Sequence, residues 1–227
     1  MDTRILHKGE VFEQVYINEP SVDLRIIQEA GSRVRIHVLN IPTAEPVCRN
    51  TDVTNKITVE QAGEGCETEI YALAYLHGSE HVSTETHVKH AIGGGTSNQV
   101  IKFVLDEQSQ GRFVGDLKIS PDAQKTEAHQ TNRNLLLSDE AEMRTQPQLE
   151  IYADDVQATH GASTGQLDES ALFYMQQRGI AKQKARQLLV GAFMREVLPD
   201  AERKDVQCAQ GYETLRRLLD TIDGIVK

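Results

Sequence analysis

The sequence predicts a mainly β protein whose C-terminal part is helical, and three observations carry this prediction. Segments that alternate polar and apolar side chains recur from about residue 21 to residue 156, as half-buried strands do. A helical spacing of apolar residues replaces them after His160. The charge balance changes there too, because residues 1–167 carry 14 Lys+Arg and 25 Asp+Glu, whereas residues 168–227 carry 10 and 9. We therefore expect a β domain over residues 1–160, which can include an irregular N-terminal segment, and a helical domain over residues 161–227.

Seven segments have the composition of strands, and turn clusters such as GEG, GGGTSN and SPDAQ separate them. They are RVRIHVL (33–39), KITVE (56–60), TEIYALAYL (68–76), HVSTETHV (81–88), NQVIKFVL (98–105), RFVGDLKI (112–119) and QLEIYAD (148–154). Such a region is compatible with a sandwich, a barrel or a parallel solenoid. Polar residues persist inside the strands, as in KTEAHQTNRN, whereas a sandwich core is more uniformly aliphatic. This favours the solenoid.

The C-terminal part predicts about three helices. Asp168 suits the N-cap of ESALFYMQQR, and Gly179 stands where a helix ends in the left-handed conformation. A second helix follows up to Pro199, with an apolar stripe formed by Ala185, Leu188, Leu189, Ala192 and Phe193. A third helix is predicted by a second apolar stripe, which consists of Leu215, Leu218, Leu219 and Ile222.

Composition excludes several classes of protein. With 24 Lys+Arg against 34 Asp+Glu, the net charge of −10 repels a phosphate backbone, so nucleic acid is a poor partner. The apolar runs are too short for a signal peptide or a membrane span. Cys48, Cys66 and Cys208 are too scattered for a disulfide framework or a paired metal knuckle. We expect a cytoplasmic protein that does not bind a membrane.

Two motifs are candidates for catalytic sites. The run Gly93-Gly94-Gly95 lacks the lysine of a phosphate-binding loop, so we interpret it as a turn between strands. Asp154-Asp155 resembles the paired carboxylates of an enzyme that acts on polysaccharides. Neighbours on a strand point to opposite faces, however, so a turn with one carboxylate in solvent is the simpler interpretation. A β-helix polysaccharide enzyme and a plain solenoid adaptor remain the alternative functions.

Histidines are the other candidates for chemistry. His77, His81, His87 and His90 lie within fourteen residues, but their strand-like spacing does not bring them to one face, so hydrogen-bonded histidines are expected there and at His129. His160 stands in ATHGAS, between the last clear strand and the first helix. We expect a short turn with Gly161 that exposes the imidazole at the domain junction.

Several segments resemble the SufD members of the SufB/SufD family, which is part of the SUF iron-sulfur cluster assembly machinery. Among them are NRNLLLS (132–138), PQLEIYADDV (147–156) and GQLDESALFYMQQRGI (165–180). The resemblance covers about residues 90–198. It implies a right-handed parallel β-helix followed by a helical domain. It also implies a noncatalytic scaffold subunit that pairs with SufB through the β-helix and docks the SufC ATPase through its C-terminal helices.

The resemblance also implies site residues. His160 matches the histidine of the family's Cys-x-His-Gly motif near the SufB interface, whereas the cysteine position is Ala158. His160 is therefore the candidate for cluster assembly and for an iron ligand. We expect no cofactor that this chain binds stably by itself, and an iron-sulfur cluster only transiently in the complex.

For SufC docking the candidates are Asp168, Phe173, Arg178 and Gly179, although Leu172, Phe173 and Met175 are expected mostly in the core. Family members usually carry a helical domain before the β-helix, so we expect a short ortholog or a fragment. Isolated, the chain is expected to be capable of forming a homodimer through its strand edges.

Overall fold

The computed structural model describes residues 1–41 and 52–197, in which twelve strands precede two helices. The strands are β1 (Asp2–Leu6), β2 (Val11–Ile17), β3 (Ser21–Gln28), β4 (Arg33–Asn40), β5 (Asp52–Gln61), β6 (Glu67–Leu76), β7 (His81–His90), β8 (Thr96–Leu105), β9 (Gln110–Ile119), β10 (Glu127–Leu136), β11 (Glu142–Ile151) and β12 (Gln157–Gly165). The helices are α1 (Glu169–Gln177) and α2 (Lys182–Arg195). The predicted mainly β fold with C-terminal helices is confirmed.

The strands form two parallel sheets. One sheet, called the odd sheet, has the order β1-β3-β5-β7-β9-β11, and the other, the even sheet, has the order β12-β10-β8-β6-β4-β2. Consecutive strands thus alternate between the sheets, and each strand pairs with the strand one turn later. Asp52 pairs with His81 and His81 with Gln110, so in the middle of the stack a turn takes 29 residues (52 to 81, 81 to 110). This is a parallel β-solenoid, the architecture that the polar residues in the strands favoured.

The alternation of side chains along each strand explains how the solenoid interior is filled. Strands such as β5 and β7 bury every second residue, because successive side chains point to opposite faces. Leu24, Ile36, Ile57 and Ile70 are among the fully buried side chains of this aliphatic interior. The outer face of the odd sheet carries cross-strand ion pairs instead, for example Lys89 with Glu60.

The N-terminal region differs from the expectation. An irregular segment was allowed before residue 21, but β1 and β2 form there and pair with β3 and β4. The alternation in β1 is weak because, as a first strand, it buries only Leu6. At the other boundary, β12 continues to Gly165, beyond the division predicted after residue 160.

The Gly93–Gly95 run is a turn, as predicted. Gly94 has φ +72°, which favours glycine, and a Cβ on Gly93 would lie 2.2 Å from the carbonyl oxygen of Gln124. Close packing of one turn of the solenoid on the next therefore accounts for these glycines.

Helix α2 packs on the outer face of the even sheet. Its buried residues are Ala185, Val190, Gly191 and Met194, and Val190 and Met194 join a cluster with Leu39, Leu73, Val104 and Leu135. The predicted stripe is partly wrong, because Leu188 is 38% exposed and Ala192 is exposed. The sheet contacts a face of the helix rotated away from those residues. Pro199 and the predicted third helix lie outside the described residues, and among residues 1–41 and 52–197 no helix is long and apolar enough to cross a membrane.

Candidate functional site

His160 lies inside a strand. It belongs to β12, whose parallel register with β10 pairs His160 with Gln130. The turn predicted with Gly161 is therefore wrong, since neighbouring strand β10 supplies the backbone partners that keep this polar segment extended. The predicted exposure of His160 is confirmed.

The register shows which face of the solenoid carries His160. Ile36, Ile70, Gln99, Gln130 and His160 form one column across five strands of the even sheet. The first four are buried, so the column faces the interior. In the described part of the chain no strand follows β12 in this sheet, and His160 is consequently the exposed last member of an interior column.

Ala158 shares this face with His160, because the two are two residues apart on a strand. It is half-buried and packs against the main core cluster. Its methyl group closes the interior without offering a ligand atom.

The interior becomes polar towards β12. Asn132 and Asn134 of β10 exchange two side-chain hydrogen bonds, of 3.0 and 2.8 Å. Thr145 of β11 donates to Asn132 Oδ1 at 2.9 Å, and Asn134 Nδ2 donates to Thr164 Oγ1 of β12 at 3.1 Å. This network ties the terminal strands of both sheets to β10.

We call β11 and β12, the terminal strands of the two sheets, the open end of the solenoid. Side chains there are more exposed than their partners one turn earlier: Ile151 pairs in register with the fully buried Ile119 but is 43% exposed. Pro147 lies within β11, and prolines in sheets are mostly confined to edge strands. Within residues 1–41 and 52–197, the open end presents an incomplete interior and strand edges that no further strand pairs with.

Asp154 and Asp155 lie in the turn between β11 and β12, not on a strand as the segment 148–154 predicted for Asp154. The carboxylate of Asp155 forms an ion pair with Lys125, and its backbone N–H donates to Gln124 Oε1 at 2.9 Å. Both contacts hold the loop between β11 and β12 against the loop between β9 and β10, one solenoid turn earlier. This agrees with the interpretation of Asp154-Asp155 as part of a turn.

The other histidines do not form a metal site. His90 is buried with its Nε2 2.8 Å from Ser97 Oγ, and burial lowers its pKa to about 4. His129 Nδ1 lies 2.8 Å from Thr159 Oγ1, and His87 Nδ1 lies 3.6 Å from a carboxylate oxygen of Asp116. Among the described residues no group of three or more His, Cys, Asp or Glu side chains is arranged to hold a metal ion. The expected hydrogen bonds are confirmed for His90 and His129.

Cysteine provides no exposed ligand in the described residues. Cys66 is fully buried, and its Sγ lies 3.2 Å from the carbonyl oxygens of both Glu29 and Gly63. Cys48 and Cys208 lie outside the described residues.

The helical candidates lie on and beside α1. Asp168 is the N-cap, accepting from the N–H groups of Ser170 and Ala171, and Gly179 follows the C-cap Arg178 with φ +83°. Both end-of-helix predictions are confirmed. Phe173 is 63% exposed, so its predicted place in the core is wrong, since only Leu172 of α1 is buried.

Phe173 and Tyr174 form an exposed aromatic pair. Tyr174 is 59% exposed, and the Arg178 guanidinium lies 5.0 Å from its ring centroid while Nη2 donates to Oη at 2.9 Å. We call Phe173, Tyr174 and Arg178 the aromatic patch. Exposed aromatic residues with an arginine are enriched where proteins bind one another.

Sequence reasoning missed two residues that the structure brings to these sites. Gln130 is paired with His160 across β10 and β12, and only the register of these two strands reveals that the residues are neighbours. Lys102, on the outer face of β8, is buried under the end of α2. The spacing of apolar residues in β8 carries no signal for that burial, because a lysine on an outward-facing position is normally solvated.

Comparison with known proteins identifies relatives. A family described as "SUF system FeS cluster assembly, SufBD core domain" matches residues 22–193. An iron-sulfur cluster assembly SufBD family protein of Synechocystis is 34% identical over 168 residues, which are 74% of this chain and 36% of that protein. The iron-sulfur cluster assembly protein SufD of Escherichia coli is 38% identical over 135 residues, 60% of this chain and 32% of that protein. The matches span about a third of the length of these relatives.

Proposed function

The chain belongs to the SufBD core family of the SUF iron-sulfur cluster assembly system, and from this membership we propose that it is a noncatalytic scaffold subunit of an iron-sulfur cluster assembly complex. In this proposal the open end of the solenoid pairs with SufB and the helices dock the SufC ATPase. The observation that carries the proposal is the position of His160 at the exposed end of an interior column.

Pairing at the open end has a physical basis. Strand edges with unpaired N–H and C=O groups accept another chain by strand addition, and covering Ile151 removes apolar surface from water. In the absence of SufB the same edges can pair two copies of this chain.

His160 is the ligand that this chain contributes to the cluster, which is the cargo of the complex. A neutral imidazole binds iron, and histidine replaces thiolate at some iron-sulfur sites. Ala158 offers no ligand, and the thiol of Cys66 is buried and hydrogen-bonded. In this proposal most of the thiolates come from SufB, and the cluster stays only while the partners are assembled.

The aromatic patch is the docking surface for SufC. Asp168 and Gly179 act indirectly, because they fix the two ends of α1, whereas Phe173 and Arg178 make the contact. ATP hydrolysis is assigned to SufC, which is consistent with the absence of a phosphate-binding loop motif from the 227-residue sequence.

The proposal is tested by anaerobic co-expression of the chain with SufB and SufC, reading subunit stoichiometry and bound iron in the purified complex. We expect a stable complex that contains all three chains. Recovery of a SufB–SufC complex without this chain would overturn the proposal.

His160→Ala tests the site within that complex. We expect the complex to form as before but to retain less iron and sulfide, since the variant removes only an exposed imidazole. His129→Ala is the matched control, because His129 is also exposed on the even sheet but outside the interior column. Equal cluster content in both variants would remove His160 from the mechanism.

A further inference from the structure

Two glutamines face each other in the interior, one turn apart. Gln99 of β8 and Gln130 of β10 are paired in register, and Gln130 Nε2 donates to Gln99 Oε1 at 3.4 Å. They are 0% and 2% exposed. Among the described residues, Gln99 Nε2 and Gln130 Oε1 have no hydrogen-bond partner.

Reorienting the amides does not remove this deficit. Each amide carries one carbonyl oxygen and one NH2 group, so a single bond between two amides always leaves one NH2 and one oxygen unpaired. The neighbouring pair Asn132 and Asn134 differs, since it makes two reciprocal bonds. The glutamine pair therefore needs a third partner.

A third unpaired group lies beside them. Thr86 of β7 is 0% exposed, and its Oγ1 has no partner in the described part of the chain. It is paired in register with Gly115 of β9, and a Cβ on Gly115 would lie 2.5 Å from Gln130 Nε2. The amide of Gln130 thus covers Gly115, next to Thr86 on the same interior face.

We infer that the solenoid interior binds ordered water between Thr86, Gln99 and Gln130. A buried, unpaired amide or hydroxyl costs about 1–3 kcal/mol, and buried water molecules make about three hydrogen bonds to such groups. Water can donate to the free amide oxygen and accept from the free NH2, and the Thr86 hydroxyl supplies the third bond. Water satisfies both a donor and an acceptor without adding charge.

The water site lies one turn from His160, because Gln130 and His160 are neighbours in the interior column. Resting on the proposed function, this means that the inner side of the cluster-binding histidine stays polar when SufB covers the open end.

The sign of a stability change tests the water site on the isolated full chain. Thr86→Val keeps the shape of the side chain and removes the hydroxyl. We expect a lower denaturation midpoint, because the variant loses a hydrogen bond to water. A raised midpoint would overturn the inference, since it would mean that the hydroxyl had been buried without a partner.

Thr68→Val is the matched control. Thr68 is also buried, but it donates to Gln28 Oε1 at 2.6 Å and accepts from Gln61 Nε2 at 2.8 Å. Loss of the Thr68 hydroxyl should lower the denaturation midpoint whether or not water lies beside Thr86. The variant therefore gives the size of the change expected when one hydrogen-bonded hydroxyl is removed.

High-resolution diffraction from the wild-type chain gives a second measurement if a variant fails to fold. We expect solvent density within hydrogen-bonding distance of Thr86 Oγ1 and both glutamine amides. A dry interior would overturn the inference. Neither experiment needs SufB or SufC, so failure of complex formation would leave the water site standing, and a dry interior would leave the scaffold proposal standing.

Discussion

Lys102 of β8 forms an ion pair with Glu196, the residue that follows α2, and this contact joins the helix to the sheet. Lys102 Nζ also donates to the carbonyl oxygen of Phe193 at 2.8 Å and lies 4.4 Å from the Phe193 ring centroid. Its side chain is only 2% exposed. A cation placed at a helix C-terminus interacts favourably with the free carbonyl groups there.

The first prediction concerns this ion pair, whose two partners differ in exposure. Glu196→Gln leaves a buried ammonium without its carboxylate and should lower the free energy of unfolding by about 3 kcal/mol. Lys102→Met leaves the Glu196 carboxylate half-exposed and still 3.4 Å from Arg133 Nη1, so a smaller loss is expected. Urea denaturation of the full chain measures both.

A surface pair gives the control for this comparison. Lys118 and Glu150 also pair across strands, at 3.1 Å, but on the exposed face of the odd sheet. Lys118→Met should lower the free energy of unfolding much less than Glu196→Gln, because solvent screens an exposed ion pair. If Glu196→Gln cost no more than this control, Lys102 would not depend on Glu196 in the folded state.

The second prediction concerns the stability of the folded chain at acidic pH. Burial lowers the pKa of His37 from 6.5 to about 4, although a hydrogen bond to the Val197 carbonyl opposes the shift, and burial does the same for His90. The unfolded chain therefore binds protons at higher pH than the folded chain. The free energy of unfolding should be largest above pH 6.5 and fall as the pH drops towards 4, by at most about 1.4 kcal/mol per pH unit for each histidine.

Substitution identifies the residues responsible for the acid effect. In urea titrations at several pH values, His37→Gln and His90→Gln should each flatten the dependence between pH 6.5 and 4. His81→Gln, at an exposed histidine, should leave the dependence unchanged. A wild-type profile that is flat over this window would contradict the prediction.

The third prediction concerns pairing with SufB. Ile151→Glu places a carboxylate on the exposed interior position of the open end and should weaken SufB binding at least tenfold, about 1.4 kcal/mol, because the charge must be desolvated. Titration calorimetry or interferometry with SufB gives the affinity. Ile5→Glu is the control, since Ile5 is 55% exposed on β1 at the opposite end of the odd sheet. Equal effects of the two variants would argue that SufB does not bind at the open end.

The fourth prediction concerns SufC docking. Phe173→Ser removes the more exposed aromatic ring of the aromatic patch and should weaken SufC binding at least tenfold while leaving SufB binding unchanged. Leu188→Ser, at an apolar residue of α2 that is 38% exposed, is the matched control. Unchanged SufC affinity in Phe173→Ser would place the docking surface elsewhere.

Local pattern predicted much of the fold. Alternation located strands such as RVRIHVL because interior and exterior positions differ in polarity there, and Asp168 and Gly179 marked helix ends through hydrogen bonding and φ. The same rule failed for β12, where QATHGASTG lacks apolar alternation because the interior it faces is polar and open.

The remaining features depend on contacts distant in sequence. Phe173 has the spacing of a core residue but is exposed, because in the part of the chain that the structure describes α1 buries only Leu172. The alignment of Gln130 with His160, 30 residues apart, follows from the register of β10 and β12. No local window of sequence contains that register.

Because each strand pairs only with the strands one turn before and one turn after it, this protein is nearly one-dimensional in energetic terms. Each turn is stabilised by its two neighbours, so a terminal turn lacks half of the nearest-neighbour energy that an inner turn receives. Among the described strands, the first turn and the last turn, which bears His160, are therefore expected to fray before the inner turns. In the proposed complex, a subunit bound at the last turn would act as a capping repeat and would stabilise the turns behind it.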